Sequence, residues 1–308
     1  MEDKKNFPTL FFERYSELYG EGLTAFLETM DRKLPLSLRV NTLKTSPGEL
    51  AKALTEKGFE IFQYGDGSYV KVLKGPFSLA STTEHLQGLF YIQGIAEMDI
   101  VPHMGCGTGE LVWDMCAAPG GKTSQIAEHM GNTGTVLASD VSADKIKALK
   151  NNLARLGVTN SVVIKKDARK MVSEIQFDRV LLDAPCTGSG IIRKDPSRKR
   201  SRTMKDIVFM QSIQKGLLRK AVNILKEGGM LLYSTCSLEP EENEMVMDWA
   251  LNNLPVDLAP IEEGFLDISP GFVNPLGREL DPRISLCGRI HPHVNDTNGM
   301  FLAKLIKN

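Results

Sequence analysis

Two cysteines lie in short loops of small polar residues, each directly after an apolar run. Cys186 lies in FDRVLLDAPCTGSG (177–190), and Cys236 lies in GMLLYSTCSL (229–238). Apolar runs of this length predict buried strands, and open α/β sheets hold their reacting groups at the carboxyl ends of such strands. A thiolate is a nucleophile that can bond to an electron-poor carbon atom. We therefore predict that both thiols face one reaction centre.

A third segment of small residues, CAAPGGKT (116–123), follows the apolar run LVWDM. Small residues before a helix let its backbone N–H groups approach a ligand closely. The segment could be a tight turn, a phosphate-binding loop or part of a nucleoside site. GKT favours a phosphate loop with VLLD as its acidic partner, but Cys116 replaces the early glycine of that motif. The candidate ligand-binding residues are Cys116, Ala117, Ala118, Pro119, Gly120, Gly121 and Lys122.

Two acidic residues follow the next two predicted strands. Asp140 ends TVLASD, and Asp167 ends SVVIKKD. A carboxylate at the first position can accept hydrogen bonds from ribose hydroxyls, and one at the second can accept from an adenine amino group. Asp140 could instead cap a helix, because Ser142 and Ala143 follow it. The loop and the two acids together predict S-adenosylmethionine as the cofactor.

These segments need a parallel sheet to bring them together. From residue 76 onward, short apolar runs alternate with helical stretches, which is typical of βαβ units. We predict a doubly wound α/β domain over 76–308 that ends in a hairpin of ISLCGRI and MFLAKLI. Residues 1–75 predict a smaller domain of two short helices followed by an α+β unit, with the boundary at Gly75–Pro76. In its first strand, Arg39 and Asn41 are interpreted as solvated positions.

Composition excludes several classes of protein. Five cysteines are scattered without the spacing of zinc ligands, so we expect reduced thiols and no metal. The amino terminus is too charged for a signal peptide, and no apolar run is long enough to span a bilayer. We expect a cytoplasmic monomer that makes no contact with a membrane.

CAAPGGKT, DAPCTGSG and YSTCSLEPEENE resemble the motifs of the NOL/NOP/Sun family of RNA cytosine-5 methyltransferases. LSLRVNTLK and RIHPHVNDTNGMFLAKL match the flanking segments of that family, so that the resemblance covers residues 35–306. It implies a Rossmann-like class I methyltransferase fold behind a small RNA-recognition-like domain. The chain is most similar to the compact, archaeal-type members that modify tRNA, and ribosomal RNA is the alternative substrate.

The resemblance also implies roles for individual residues. Carbon 5 of cytosine is a poor nucleophile, and addition of Cys236 to carbon 6 makes it reactive enough to take a methyl group. Cys186 resolves the resulting adduct. Asp183 contacts the N3 and amine edge of the base, with Lys122 beside it, and both also face the cofactor. Lys145 matches a cofactor-binding position.

A run of basic residues directly follows the first cysteine. Within RKDPSRKRSRTMK (193–205), seven basic residues accompany one acidic residue, although the whole chain has a net charge of −1. Such a run is usually a solvated surface, but beside a loop that handles cytosine it predicts contacts with RNA phosphates. The predicted RNA-binding residues are Arg193, Lys194, Arg198, Lys199, Arg200 and Arg202.

Hypotheses from other classes are a P-loop-like nucleotidase and a non-catalytic RNA-binding protein. The nucleotidase would need Mg²⁺ and a nucleoside triphosphate, whereas the RNA-binding protein would tolerate the loss of both thiols.

Overall fold

The chain folds around two β-sheets. The computed structural model describes residues 7–172, 174–261 and 264–308, so the first six residues of the predicted first domain lie outside it. Within these ranges the strands are β1 (Leu36–Val40), β2 (Glu60–Tyr64), β3 (Tyr69–Lys74), β4 (Phe90–Ile92), β5 (Leu111–Asp114), β6 (Thr135–Asp140), β7 (Ser161–Lys165), β8 (Phe177–Asp183), β9 (Leu225–Thr235), β10 (Val256–Ala259), β11 (Ser269–Pro270), β12 (Gly288–Ile290) and β13 (Met300–Lys307). The α-helices are α1 (Thr9–Tyr19), α2 (Leu23–Met30), α3 (Pro47–Glu56), α4 (Thr83–Leu86), α5 (Ile95–Met98), α6 (Gly121–His129), α7 (Ala143–Leu156), α8 (Met204–Ile224), α9 (Glu244–Asn253) and α10 (Pro292–Asn295).

The smaller sheet is antiparallel, with the strand order β2-β3-β1-β4. Helix α3 covers it with Leu50 and Leu54, and a capping box between Ser46 and Glu49 closes the first turn of that helix. Strand β4 pairs with β1 although it begins at Phe90. A boundary at residues 75–76 would separate β4 from the sheet that it completes. We therefore move the proposed domain boundary to a position after β4.

The larger sheet contains five parallel strands in the order β7-β6-β5-β8-β9. Strand β13 pairs antiparallel with β9, and β10 and β12 both pair with β13. Chain order reverses beside β5, because β6 lies on one side of it and β8 on the other. Such a reversal opens a crevice at the carboxyl ends of the strands, where ligands bind in this class of fold. The prediction of a doubly wound, Rossmann-like α/β fold is confirmed.

The predicted C-terminal hairpin is present in a shorter form. Strands β12 and β13 pair antiparallel, as expected. The first part of ISLCGRI instead belongs to a 3₁₀ turn over Pro282–Leu286. Proline has no N–H to donate to a sheet, and the Asp281 side chain accepts the N–H of Arg283, so this segment favours a turn.

Helices α1 and α2 pack against the larger domain. Phe11 and Tyr15 form one apolar cluster with Ile192, Ile207 and Leu238. Ile192 and Leu238 come shortly after Cys186 and Cys236 in the chain, so these helices support the region of the two thiols.

Candidate active site

The two thiols lie beyond the carboxyl ends of adjacent parallel strands. Strands β8 and β9 pair in a register that places Asp183 opposite Ser234. The chain then leaves β8 in the Cys186 loop (184–190) and β9 in the Cys236 loop (236–239), and the two loops meet. The sulfur atoms of Cys186 and Cys236 are 3.3 Å apart, close enough for a hydrogen bond between them.

One buried carboxylate, Glu242, joins the two cysteine loops. Its Oε2 accepts hydrogen bonds from the hydroxyls of Thr187 and Ser237, both at 2.5 Å. Its Oε1 accepts the backbone N–H of Thr187 at 2.9 Å and an amide N–H of Gln214 at 3.1 Å. Because Thr187 follows Cys186 and Ser237 follows Cys236, this one side chain holds the two loops at a fixed spacing.

Sequence reasoning missed Glu242. It lies in the acidic run EPEENE, which has the composition of a solvated turn, yet Glu242 has 0% of its surface exposed. Burial raises its pKa, while hydrogen bonds from Ser237 and Thr187 lower it. The one signal available was its position six residues after Cys236, within the motif that carries the family resemblance.

The two thiols are not equivalent. The hydrogen bond with Cys236, together with burial, raises the pKa of the Cys186 thiol well above its ordinary value. The Cys186 thiol is therefore protonated at neutral pH. Its S–H can donate to the sulfur of Cys236, which stabilises negative charge on the sulfur that the resemblance assigns as nucleophile.

Lys122 and Asp183 form an ion pair beside the thiols. Nζ of Lys122 donates to Oδ2 of Asp183 at 2.7 Å, and the Ser234 hydroxyl donates to Oδ1 at 2.8 Å. Burial lowers the pKa of Lys122, but the neighbouring acceptors and negative charges, Asp183 first and then Glu97 and Cys236, together outweigh burial, and the net pKa is raised. The lysine is therefore positively charged and held in place.

A cleft of about 170 Å³ connects the loop after β5 with this ion pair. We call it the catalytic cleft, and its lining residues are Tyr91, Ile92, Gln93, Gly94, Glu97, Asp114, Cys116, Ala117, Ala118, Pro119, Gly121, Lys122, Asp183 and Lys194. Gly120 has a φ of +106°, and a Cβ on Gly121 would lie 2.9 Å from Cε1 of Tyr91. The loop thus needs glycine at both positions.

The predicted nucleoside-binding acids lie around the same loop. Asp140 is nearly buried at the end of β6, where Oδ1 accepts the N–H of Ser142 and no described residue donates to Oδ2. Burial and the carboxylates of Asp114, Asp183 and Asp140 raise the pKa of the Cys116 thiol. Clustered acceptors beside a glycine loop fit the hydroxyls and the amino group of an adenosine-bearing cofactor.

Asp167 and Lys145, the other two predicted cofactor contacts, are less well placed to bind a cofactor. Both carboxylate oxygens of Asp167 receive hydrogen bonds from the side chain of Arg169, at 3.0 and 2.8 Å. Asp167 also lies two residues beyond the end of β7, where it caps a short 3₁₀ turn. Lys145 is exposed in the first turn of α7, and its charge acts to lower the pKa of Cys116.

The predicted RNA-binding run divides into enclosed and accessible residues. Arg193 is buried and donates to the backbone carbonyls of Arg32, Lys33 and Thr297. Arg202 is also buried, where it stacks on the Phe11 ring. The side chains of both arginines are therefore used inside the protein, and we remove them from the proposed RNA surface.

The other four basic residues are partly or fully exposed. Lys194 and Arg200 are exposed, and Lys194 lines the catalytic cleft. Arg198 donates to the carbonyl of Thr187 at 3.0 Å, and so it also supports the Cys186 loop. Lys199 forms an ion pair with Asp31.

Within the described ranges, no cluster of three or more histidine, cysteine, aspartate or glutamate side chains could hold a metal ion. No described helix is both long enough and apolar enough to cross a bilayer.

Comparison with protein families and curated proteins gives concordant matches. Residues 104–306 match the family described as 16S rRNA methyltransferase RsmB/F, and residues 7–94 match the N-terminal domain of 16S rRNA methyltransferase RsmF. A 28S rRNA (cytosine-C(5))-methyltransferase of Mus musculus is 40% identical over 292 residues, covering 92% of this chain and 37% of that protein. Ribosomal RNA small subunit methyltransferase F of Shewanella piezotolerans is 38% identical, covering 92% of this chain and 60% of that protein. The chain thus spans between about a third and two thirds of the length of these curated relatives.

Solved structures match over nearly the whole chain. A methyltransferase homologue from Pyrococcus horikoshii has 42% identity and a TM-score of 0.90, covering 100% of this chain and 98% of that one. NSun6 from the same organism, solved with SFG, has 25% identity and a TM-score of 0.87, with 99% of each chain covered. SFG is an analogue of S-adenosylmethionine, and the prediction of S-adenosylmethionine as the cofactor of the family is confirmed. With its motifs, its sheet and both of its domains in agreement, the chain belongs to the RsmB/F family of methyltransferases, as its resemblance to the NOL/NOP/Sun enzymes predicted.

Proposed function

We propose that this protein methylates carbon 5 of cytosine in RNA. The observation that carries the proposal is the pair of thiols 3.3 Å apart, next to a charged Lys122–Asp183 pair and a glycine loop. Methylation of an amine or a hydroxyl needs no cysteine, because those atoms are already nucleophilic. A carbon that must first be activated by covalent addition does need one.

Each residue of the site has a separate role in the proposed reaction. Cys236 adds as a thiolate to carbon 6 of cytosine, and the electron pair moves to carbon 5. S-adenosylmethionine, bound along the loop after β5, supplies the methyl group that carbon 5 takes. Asp183 and Lys122 hold the polar edge of the base, the lysine donating to its ring nitrogen or carbonyl.

Release requires loss of the proton on carbon 5 and cleavage of the bond between carbon 6 and sulfur. The hydrogen bond to Cys236 is the largest cause of the raised pKa of Cys186. Cys186, whose sulfur lies 3.3 Å from that of Cys236, is the base that we assign to this step, and its own thiol proton must first pass to solvent. Its thiolate then takes the proton from carbon 5, the electron pair of that C–H bond restores the double bond between carbons 5 and 6, and Cys236 leaves as a thiolate.

Ribosomal RNA is the substrate that we propose first. The curated relatives reported above carry ribosomal RNA in their names, whereas the resemblance to the compact members of the family predicted tRNA. A P-loop nucleotidase is not favoured, because Nζ of Lys122 donates a hydrogen bond to Asp183 and so is not free to bind a phosphate.

Methyl transfer from labelled S-adenosylmethionine to purified ribosomal RNA and tRNA tests the proposal. We expect labelled 5-methylcytosine in ribosomal RNA, and label in tRNA alone would reverse the order of the two substrates. Cys236→Ala should abolish transfer while RNA still binds. The matched control is Cys106→Ser, a thiol outside the two cysteine loops, which should retain activity. Full activity in Cys236→Ala would refute the covalent route.

A further inference from the structure

Three buried acceptor atoms near the catalytic cleft have no hydrogen-bond partner among the described residues. They are Oε1 of Gln93, Oε2 of Glu97 and Oδ1 of Asn298. An unpaired buried acceptor costs on the order of 1–3 kcal/mol, and folded proteins contain few of them. Three in one region indicate a surface that receives N–H or O–H groups from a ligand.

Among the described residues, one side chain donates to the carboxylate of Glu97. The Asn298 amide donates to Oε1 at 2.8 Å, and Oε2 receives no donor from the described part of the chain. The carboxylate lies against the backbone of Gly94, where a Cβ would come within 2.0 Å of Oε2. Glycine at residue 94 therefore makes room for this carboxylate. The charge of Glu97 also contributes to the raised pKa of Lys122, so the two side chains are close enough to interact.

Gln93 and Glu97 lie where the catalytic cleft meets a larger groove of about 780 Å³. This groove, lined by Lys33, Lys74 and the half-exposed Phe77 among others, is open to solvent. The cofactor loop lines the cleft but not the groove. Because Gln93 and Glu97 line both spaces, a base that enters the cleft from the groove would contact the two acceptors, whereas the cofactor loop is reached only within the cleft.

We propose that Glu97 and Gln93 accept the N–H groups of the exocyclic amine of the target cytosine and so select cytosine over uracil. The inference rests on the proposed function and adds specificity residues to it. Uracil carries a carbonyl oxygen in place of the amine, and a carboxylate repels it. Each oxygen of Asp183 receives a donor, from Lys122 and from Ser234, whereas Oε2 of Glu97 receives none from the described residues and is open to an amine hydrogen beside the Lys122–Asp183 pair.

The test compares two bases in one RNA. Short RNAs carry the mapped target as cytosine or as 2-pyrimidinone, which has hydrogen in place of the amine, and single-turnover methyl transfer is measured on each. For cytosine, Glu97→Gln should slow transfer by about tenfold or more, the range of one hydrogen bond to a charged group. For 2-pyrimidinone it should change the rate little, because the missing amine makes no contact to lose.

Gly94→Ala gives an independent variant that keeps the charge but displaces the carboxylate, and it should show the same preference for slowing cytosine. Glu28→Gln, on the exposed side of α2, is the matched control and should change neither rate. Equal losses on both bases would overturn the inference and leave the proposed function intact. Weaker binding of S-adenosylhomocysteine by Glu97→Gln would also overturn it, because the acceptors would then serve the amino group of the cofactor. If the wild-type protein transfers no methyl group to cytosine, both proposals are wrong.

Discussion

At the scale of single residues, the site depends on the contact between two neighbouring thiols, whose sulfur atoms are 3.3 Å apart. The raised pKa of Cys186 comes first from its hydrogen bond with Cys236 and then from burial. The S–H of Cys186 can therefore donate to the sulfur of Cys236 at neutral pH.

The Cys186→Ala variant separates these roles. It leaves Cys236 able to add to carbon 6 but removes the base that we assign to release, so a covalent protein–RNA complex should accumulate. A denaturing gel should show a shifted band that forms with S-adenosylmethionine and disappears in the double variant with Cys236→Ala. Rapid turnover without a shifted band would assign release to another group.

A buried acid away from the thiols gives a prediction about stability and pH. Burial raises the pKa of Asp99 to about 7, although the N–H of Phe265 donates to Oδ1. An acid whose pKa is higher in the folded state binds more protons there, so the free energy of unfolding should fall as pH rises from about 4 to about 7. In Asp99→Asn this decline should be smaller, as measured by urea denaturation at several pH values. Asp144→Asn, an exposed acid, should keep the wild-type decline, and an unchanged slope in Asp99→Asn would contradict the assignment.

Motif residues could be predicted from the sequence, but buried supporting residues could not. Cys186, Cys236, Asp183 and Lys122 stand in recognisable segments, and the structure brings them together. Glu242 escaped notice because burial of an acid depends on partners that are distant along the chain, such as Thr187. From composition alone, such residues are expected to be exposed to solvent.

At the scale of elements, the pairing of β8 with β9 sets the reaction centre. Register decides which residues stand side by side, and Asp183 stands opposite Ser234. The two loops that follow are joined by backbone as well as by Glu242, since the N–H of Gly190 donates to the carbonyl of Cys236 at 2.8 Å. The thiol spacing is thus a property of two strands and two loops together.

Glu242→Gln should loosen this arrangement. The amide puts an NH2 donor at one of the two carboxylate oxygen positions, where it cannot accept the hydrogen bonds that Glu242 accepts there, so we expect a loss of about 1–3 kcal/mol in the free energy of unfolding. A mild oxidant should also cross-link Cys186 to Cys236 more slowly than in wild type, a change that general destabilisation would not produce. Glu241→Gln, whose carboxylate pairs with Arg14, is the control and should keep the wild-type rate of cross-linking. Equal rates in both variants would show that the backbone contacts suffice.

The alternation of strands and helices predicted the larger sheet, but it predicted the ends of individual segments less accurately. Strand β4 is three residues long and follows an irregular stretch, so its pairing with β1 across about fifty residues left no local sign in the sequence. Local pattern indicates that a strand exists, whereas the choice of partner is made by tertiary packing.

At the scale of the whole molecule, a buried ion pair connects the smaller sheet to the larger domain. Arg39 on β1 pairs with Glu128 on α6, and both side chains are almost fully enclosed. Arg39 also donates to the carbonyl of Gly121 at 3.2 Å, directly before Lys122. The interpretation of Arg39 and Asn41 as solvated positions was wrong, because both are buried and each donates to a backbone carbonyl of the other domain.

Arg39→Met should therefore destabilise the whole protein. It leaves Glu128 buried without its partner, a change that costs about 3–5 kcal/mol in comparable pairs. The double variant with Glu128→Gln should recover part of that loss, as measured by chemical denaturation. Lys52→Met, on the exposed face of α3, should be nearly neutral. A single variant as stable as wild type would show that the pair contributes nothing.

The contacts of Arg39 also bear on the distance between the smaller sheet and the two thiols. The ion pair of Arg39 with Glu128 and its hydrogen bond to Gly121 hold the smaller sheet against α6, and so they set the distance between that sheet and the two thiols in this structure. Under the proposed function, an RNA held on that sheet would present to Cys236 the nucleotide that lies that distance away. The distance between the sheet and Cys236 would then select the target nucleotide by its position in the RNA. The acceptors of Gln93 and Glu97 would select it by the identity of its base.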